Sequence, residues 1–290
     1  MTLFDVRAAQ RAQRLTLLLV LSLSAAAYTD QSAPTILRIA TTTSVENSGL
    51  LAAILPAFER KAHVKVEVLP VGSGQALGLL KRGDVVAGLT HDPNAEASAL
   101  EAGVITSYRK IMFNEFIIVG PREDPAHLAH ASSAVDAMRH IATTGAVFVS
   151  RGDASGTYSR EQELWALAKQ RPAHHLLLET GQGMSATLRI ASEKRAYTLT
   201  DRATFEQLRS GLRLASLYEG GSALLNTYAI FLRARLTAAD REAGTKLADW
   251  FADGEGRQLV AGFLAKGQPV FNIWPANIPR NQPTDLPNAR

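Results

Sequence analysis

Four times along this chain an apolar run stops, small polar residues follow, and helical spacing begins. The junctions are ATTTSVENSG (residues 40–49), PVGSGQA (70–76), SRGDASGTYS (150–159) and ETGQGMSA (179–186). Each leaves unpaired backbone N–H groups at a helix start with hydroxyls beside them, which is a donor-rich place for an anion. In an open α/β sheet the C-terminal ends of strands are also where ligands collect. Taken singly, each junction is satisfied by helix capping, for which one Ser or Thr hydroxyl contributes about 1 kcal/mol. Capping needs one hydroxyl, however, and ATTTS has four.

Around the junctions the pattern alternates. TILRIA (35–40) reads as a strand, SGLLAAILPAFERKA as a helix, VKVEVLPV (64–71) as a strand, Gln75 to Lys81 as a helix, and VVAGLT (85–90) as a strand. That order predicts βαβ units and a mainly parallel sheet covered by helices. FNEFIIVGP (113–121) ends at Gly-Pro before the polar REDPAHLAHASS, which marks a crossing into a second lobe. A second alternation follows, with helices at 133–142, after Gly156 and at 185–193, and strands at 146–150, 176–180 and 196–200. LASLYEG and the strand LNTYAIFLR lead into helices at 238–250 and 255–264. No strands remain for a third domain, so this last stretch is expected back on the first lobe. The layout is a discontinuous lobe 1 (35–119 and 216–275), a lobe 2 (120–215), and a tail (276–290) whose prolines and lack of period predict a loosely held extension. One continuous doubly wound sheet is the rival arrangement.

Residues 1–27 are of another kind. Arg7, Arg11 and Arg14 precede a run from Leu15 to Leu23 broken only by Thr16 and Ser22, and Ala25 to Ala27 supply small residues for cleavage. This is the order of a secretory signal peptide, with an apolar part shorter than the roughly 20 residues of a membrane span. An uncleaved anchor is the alternative. The chain has no cysteine, which excludes lipid attachment at a processed N-terminal Cys, a disulfide framework, a thiolate nucleophile and a Cys-ligated zinc. Cleavage after Ala27 removes three Arg and one Asp, taking the net charge from +4 to +2. Such a surface gives no reason to expect nucleic acid.

Arg151 is the sharpest single residue, standing directly after AVFVS and before a small-residue loop. A guanidinium stays charged and offers five donors in a fixed fork, which suits an oxyanion. Its other reading is a structural pair with Asp153; under the binding reading Asp153 steadies the fork. Ser155 and Thr157 add hydroxyls, and Gly156 and Thr157 add N–H groups. Ser73, between Gly72 and Gly74, is either a tight-turn cap or another donor. His91, before Asp92 and Pro93, reads as a loop organiser, and the other histidines show no metal-ligand spacing. Glu46, Asp84, Asp92 and Asp201 stand at element ends without a spacing that requires acid and base chemistry. No nucleophile elbow or phosphate-binding P-loop occurs, so no catalytic residue and no cofactor are expected.

TTTSVENSGLLAAILPAFE, VGSGQAL, GDVVAGLTHDPNAE, FNEFIIVGP, FVSRGDASGTYSREQELW, ETGQGMSATL, AYTLTDRATF and LLNTYAI together resemble, in order and spacing, the periplasmic tungstate-binding proteins of ABC importers. The likeness spans residues 36 to 275. It implies an α/β, two-lobed periplasmic binding protein of the type II kind, with two crossings and a ligand cleft between the lobes. It implies as anion donors Thr42, Thr43 and Ser44, with Thr41 as the competing choice among the threonines, and Ser73 from lobe 1. From lobe 2 it implies Arg151, Ser155, Gly156 and Thr157. Asp153, His91 and Asp201 are expected behind these or at the hinge. Ser73 stands where many relatives have threonine, and a hydroxyl is kept. The implied ligand is tungstate or molybdate held as an oxyanion without direct metal ligation. The implied partner is a membrane permease with a cytoplasmic ATPase, and the implied state is a periplasmic monomer. A phosphate-binding protein of an ABC importer is the first alternative, because Arg-x-Asp-x-Ser-Gly-Thr also resembles a phosphate-binding segment. A secreted phosphoryl-transfer enzyme is the second.

Overall fold

A computed structural model describes residues 35–283; the expected signal peptide and the last seven residues of the tail lie outside them. Strand β1 (Thr35–Thr42) alternates inward Leu37 and Ile39 with outward residues before becoming wholly buried. A short helix α1 (Thr43–Asn47) follows, then α2 (Leu50–Ala62), whose Leu50, Leu51, Ile54, Leu55 and Phe58 fall on one face at helical spacing. Strand β2 (Val64–Val71), helix α3 (Ser73–Arg82), strand β3 (Ala87–Thr90) and helix α4 (Pro93–Glu101) complete the first run. The sequence reading does not contain α4. Asp92 caps it through Ala95 N, and Pro93 sits where a helix start tolerates proline.

Strand β4 (Ile105–Pro121) organises the molecule, because it belongs to both lobes. From Ile105 to Glu115 it pairs with β9 (Leu225–Arg233), and from Phe116 to Pro121 it pairs with β7 (Thr198–Asp201) and β8 (Leu214–Tyr218). The change of pairing partner therefore falls inside a strand, at Phe116. Gly120-Pro121 ends the strand. On the return, β8 pairs with the second part of β4 and β9 with the first.

The mainly parallel sheet is also corrected. β1 and β3 pair in parallel, yet β9 lies between β3 and β4 and is antiparallel to both. A chain that leaves lobe 1 along β4 and returns beside it must enter from the opposite end, so β9 runs against its neighbours. Lobe 1 then has α2, α9 (Ala238–Ala252) and α10 (Glu255–Ala261) on one face and α3 and α4 on the other.

In lobe 2 the pleat of β4 serves two faces. Phe116 and Ile118 pack with α5 (Ala134–Thr143) and α6 (Gly156–Ala168). Ile117 and Val119 pack with α7 (Met184–Lys194) and α8 (Arg202–Leu208). Strands β5 (Phe148–Ser150) and β6 (Leu177–Glu179) form a short parallel pair that carries the Arg151 loop.

The tail is not loosely held as far as residue 283. Short pairs β10 (Leu264–Ala265) with β11 (Gln268–Pro269), and β12 (Asn272–Ile273) with β4, bring it across lobe 1. Arg280 then clamps Asp253 with two bonds of 2.8 and 2.9 Å, and its carbonyl accepts from Lys110 N at 2.8 Å. Buried Trp274 lies under the Lys110 ammonium, 4.7 Å from the ring centre. One aromatic anchor and one bidentate arginine override a proline-rich composition that argues for disorder. No helix among the described residues is long and apolar enough to cross a membrane.

Candidate functional site

The end of β1 sorts the hydroxyls of TTTS. Thr41 Oγ1 donates to Leu89 O at 2.9 Å, so it ties β1 to β3 and is spent on structure. Thr42 Oγ1 accepts from Val45 N at 3.3 Å as the cap of α1 and pairs with Ser44 Oγ at 3.0 Å. Ser44 Oγ in turn meets His91 Nε2 at 3.1 Å. Thr43 is half-buried and faces the other lobe, where a Cβ placed on Gly183 would lie 3.5 Å from its Oγ1. Ser73 is fully buried at the start of α3, and its Oγ has no hydrogen-bond partner among the described residues.

His91 is buried between Phe116 and Tyr228, with ring centres 6.1 and 4.9 Å away. Burial first, and the nearby charge of Arg151 second, push its pKa down to about 3. The imidazole is therefore neutral at physiological pH.

In lobe 2, Arg151 is 3% exposed. Its backbone is fixed by Gly181 N and Thr180 Oγ1 donating to its carbonyl at 2.8 and 3.3 Å. Gly152 turns with φ of 60°, and a Cβ there would come 2.9 Å from Glu179 Cβ, so the turn requires glycine. Arg151 Nη2 donates to Asp153 Oδ2 at 2.5 Å, and Ser155 Oγ donates to Asp153 Oδ1 at 2.5 Å. Ser155 also caps α6 through Tyr158 N. Its hydroxyl proton is thus directed at Asp153, and what it keeps for a ligand is its backbone N–H. By contrast, Arg151 Nε and Thr157 Oγ1 are buried with no hydrogen-bond partner among the described residues. Gly156 opens α6, where the first-turn N–H groups have no helical acceptor.

Asp201 caps α8 through Thr204 N at 2.8 Å and is fully buried. Burial raises its pKa, opposed by its bonds to Thr204 and by Arg151. It ends β7, the strand that pairs with β4 from Phe116 to Val119.

The two sets of loops touch. Gly74 N donates to Ala154 O at 3.0 Å, Ser159 Oγ to Asp92 Oδ2 at 2.8 Å, and Asn47 Nδ2 to Ser185 Oγ at 3.0 Å. A Cβ on Gly156 would meet His91 O at 2.4 Å, so the start of α6 sits directly on the His91 backbone. Junctions from both lobes thus form one cluster whose unsatisfied groups include Ser73 Oγ, Thr157 Oγ1 and Arg151 Nε. These are potential donors; Asp153 is bonded at both oxygens, and the unpartnered Asp201 Oδ2 belongs to the carboxyl that caps α8. The cluster is chemically suited to a small anion that only accepts. Asn47, Ser159 and Ser185 are absent from the sequence reading. They act across lobes at separations of 67 and 138 residues, and no local pattern signals such a pair.

The profile of the PBP superfamily domain matches residues 28–255. The tungstate-binding protein TupA of Peptoclostridium acidaminophilum is 36% identical over 239 residues, which is 80% of this chain and 84% of that protein. TupA of Campylobacter jejuni is 29% identical over 237 residues, or 79% and 88%. Among solved structures, the tungstate ABC transporter protein from Geobacter sulfurreducens superposes with a TM-score of 0.73 at 39% identity, covering 79% of this chain and 98% of that one. The tungstate-binding protein TupA from Desulfovibrio alaskensis gives 0.69 at 33% identity, covering 83% and 99%. A cluster of buried donors in loops from two α/β lobes, a superfamily match over most of the sequence and relatives of this identity and coverage agree: the chain belongs to the PBP superfamily, in the family of the tungstate-binding proteins.

Proposed function

We propose that this chain captures tungstate, with molybdate as its close competitor, and delivers it to the permease of an ABC importer. The observation that carries the reading is the set of buried, unpartnered Ser73 Oγ, Thr157 Oγ1 and Arg151 Nε in loops drawn from both lobes. Tungstate at neutral pH is a dianion with no proton, so all its oxygens accept. Hydroxyls, helix-start N–H groups and one guanidinium answer it, each charged bond contributing about 1.5–3 kcal/mol. Thr42, Thr43, Ser44 and Ser73 bind from lobe 1, and Arg151, Ser155 N–H, Gly156 and Thr157 from lobe 2. Asp153 holds the Arg151 fork, His91 steadies Ser44, and Asp201 backs Arg151.

Phosphate is the weaker reading. At neutral pH it carries protons and needs an acceptor, and Asp153 gives its oxygens to Arg151 and Ser155 instead. The protein is a binding component without turnover, works as a monomer, and reaches the periplasm by a cleaved signal peptide at residues 1–27. Lobe 1 of this cycle is residues 35–115 with 225–283, and lobe 2 is 116–224. The anion is met by one lobe in an open form and enclosed when the other lobe adds its donors. The permease, driven by its own ATPase, reads the closed form.

Competitive calorimetry of the mature protein tests this. Tungstate and molybdate bind tightly while sulfate and phosphate bind far more weakly. Arg151→Ala weakens tungstate by about 100-fold or more, because it removes a charged fork and leaves Asp153 facing the anion. Thr157→Ala weakens it about tenfold. Phosphate binding as tight as tungstate, or equal losses in the two variants, overturns the reading.

A further inference from the structure

Both lobes repeat one arrangement behind the cleft. At the end of β3, Thr90 Oγ1 donates to Glu96 Oε1 at 2.6 Å, and Asp92 N donates to the same oxygen at 3.0 Å. One carboxylate oxygen thereby holds the residues on either side of His91. At the end of β5, Ser150 Oγ donates to Glu161 Oε2 at 2.8 Å and accepts from Gly152 N at 3.2 Å. The residues on either side of Arg151 are held in the same way, with the serine oxygen interposed. The far oxygens are anchored in each core. Tyr108 OH donates to Glu96 Oε2 at 2.7 Å, while Trp165 Nε1 and Gln162 Nε2 donate to Glu161 Oε1 at 3.2 and 3.4 Å.

Glu96 and Glu161 are 0% and 2% exposed. A carboxylate buried behind each half of a cleft for a dianion is opposed twice, by desolvation and by like charge. Neither residue is needed to cap a helix, since Asp92 caps α4 and Ser155 caps α6. What each does in the structure is bracket a residue that serves the site, His91 behind Ser44 in one loop and Arg151 in the other.

We propose that Glu96 and Glu161 are a matched pair of positioning residues for the anion, one per lobe. Glu96 sets His91 on Ser44 and on the contact with Gly156, and Glu161 sets the aim of Arg151. The inference rests on the oxyanion reading above.

A role that is only structural differs from this one in two readouts. The first is rescue: a glutamine keeps one acceptor oxygen and turns its NH2 towards a hydroxyl able to accept, so the bracket survives without the charge. The second is pH. Burial, the largest cause, pushes both carboxyls up to about 7 against their hydrogen bonds. Asp92 and Tyr108 face Glu96, and Arg171, Glu179 and Tyr158 face Glu161. A bound anion adds negative charge nearby and raises both further, so binding takes up protons and affinity falls as pH rises through neutrality.

The test is tungstate calorimetry on wild type, Glu96→Ala, Glu96→Gln, Glu161→Ala and Glu161→Gln at pH 6 and pH 8, with melting temperatures alongside. Each alanine variant should bind about tenfold more weakly, in the range seen when groups that orient ligating residues are removed. Each glutamine variant should stay within about threefold of wild type, and the double glutamine variant should lose the wild-type weakening between pH 6 and pH 8. Where an alanine variant does not fold, Thr90→Ala or Ser150→Ala cuts the same link from its other end. Absence of tungstate binding by wild type overturns the oxyanion reading and this inference with it. Wild-type binding with unchanged affinity in the alanine variants, even at a lowered melting temperature, overturns this inference alone.

Discussion

Arg151 and Asp153 show how much one pair decides. The sequence leaves open whether Asp153 pairs structurally with Arg151 or steadies it for a ligand, and the 2.5 Å bond with an unpartnered Nε on the same fork is compatible with both at once. Lysine offers a point charge and no fork, so Arg151→Lys should bind tungstate about tenfold more weakly than wild type despite keeping the charge; calorimetry of that variant checks it. The buried titratable groups also give stability a definite pH dependence. His91, with a pKa about 3 against an ordinary 6.5, stays neutral in the fold while the unfolded chain takes a proton, so its contribution is full above pH 6.5 and lost as pH falls towards 3. Glu96 and Glu161, near 7 against an ordinary 4.5, act in the opposite sense. They are protonated in the fold and cost nothing below pH 4.5, and their penalty grows as pH rises to 7. In urea unfolding, the double glutamine variant should therefore gain on wild type between pH 4.5 and pH 8, by up to roughly 3 kcal/mol per site.

At the scale of elements, the start of α6 is the sharpest test of closure. Gly156 needs no left-handed backbone, and within lobe 2 a helix tolerates alanine there; the obstacle is His91 O, 2.4 Å from the added Cβ, and Nδ1 at 2.8 Å. Gly156→Ala should keep the melting temperature of the unliganded protein and weaken tungstate about 10–100-fold, the cost of overpacking a closed contact. Equal affinity for variant and wild type would show that the two loops need not approach so closely. The helices and strands that carry the site were legible in the sequence because each depends on local pattern. β2 at residues 64–71 and the start of α9 at Ala238 coincide with their expected positions, and the four junctions all lead into helices. What was not legible depends on partners far along the chain. The first part of β4 mixes Arg109 and Lys110 with apolar residues and contains bulges, so its period is blurred, and its change of partner at Phe116 leaves no mark in composition. Thr41 cannot be told from Thr42 by spacing, since only the Leu89 carbonyl on another strand distinguishes them.

For the molecule as a whole, function turns on how firmly the two lobes hold each other before and after a ligand arrives. The crossings are braced together: Arg202 Nη2 bonds Glu115 Oε2 beside the first at 2.9 Å and Glu219 Oε2 beside the second at 2.7 Å. Asn226 Nδ2 of β9 donates to Asn114 Oδ1 of β4 at 2.8 Å. Across the mouth, the direct bonds are Asn47 to Ser185, Ser159 to Asp92, and the Gly74 amide to Ala154. The two neutral bonds contribute about 1 kcal/mol each and the Ser159 bond to the Asp92 carboxylate about 1.5–3 kcal/mol, against the several charged bonds an anion adds. The latch should therefore bias closure while the anion completes it. Asn47→Ala with Ser159→Ala removes two side-chain latches and leaves every proposed anion donor in place, so any loss of affinity must come through the closing equilibrium. The double variant should bind tungstate about tenfold more weakly, release it faster, and scatter X-rays as a more open particle without ligand, yet match wild type at saturation. A saturated profile that stays open would instead show that the latch, and not the anion, holds the lobes together.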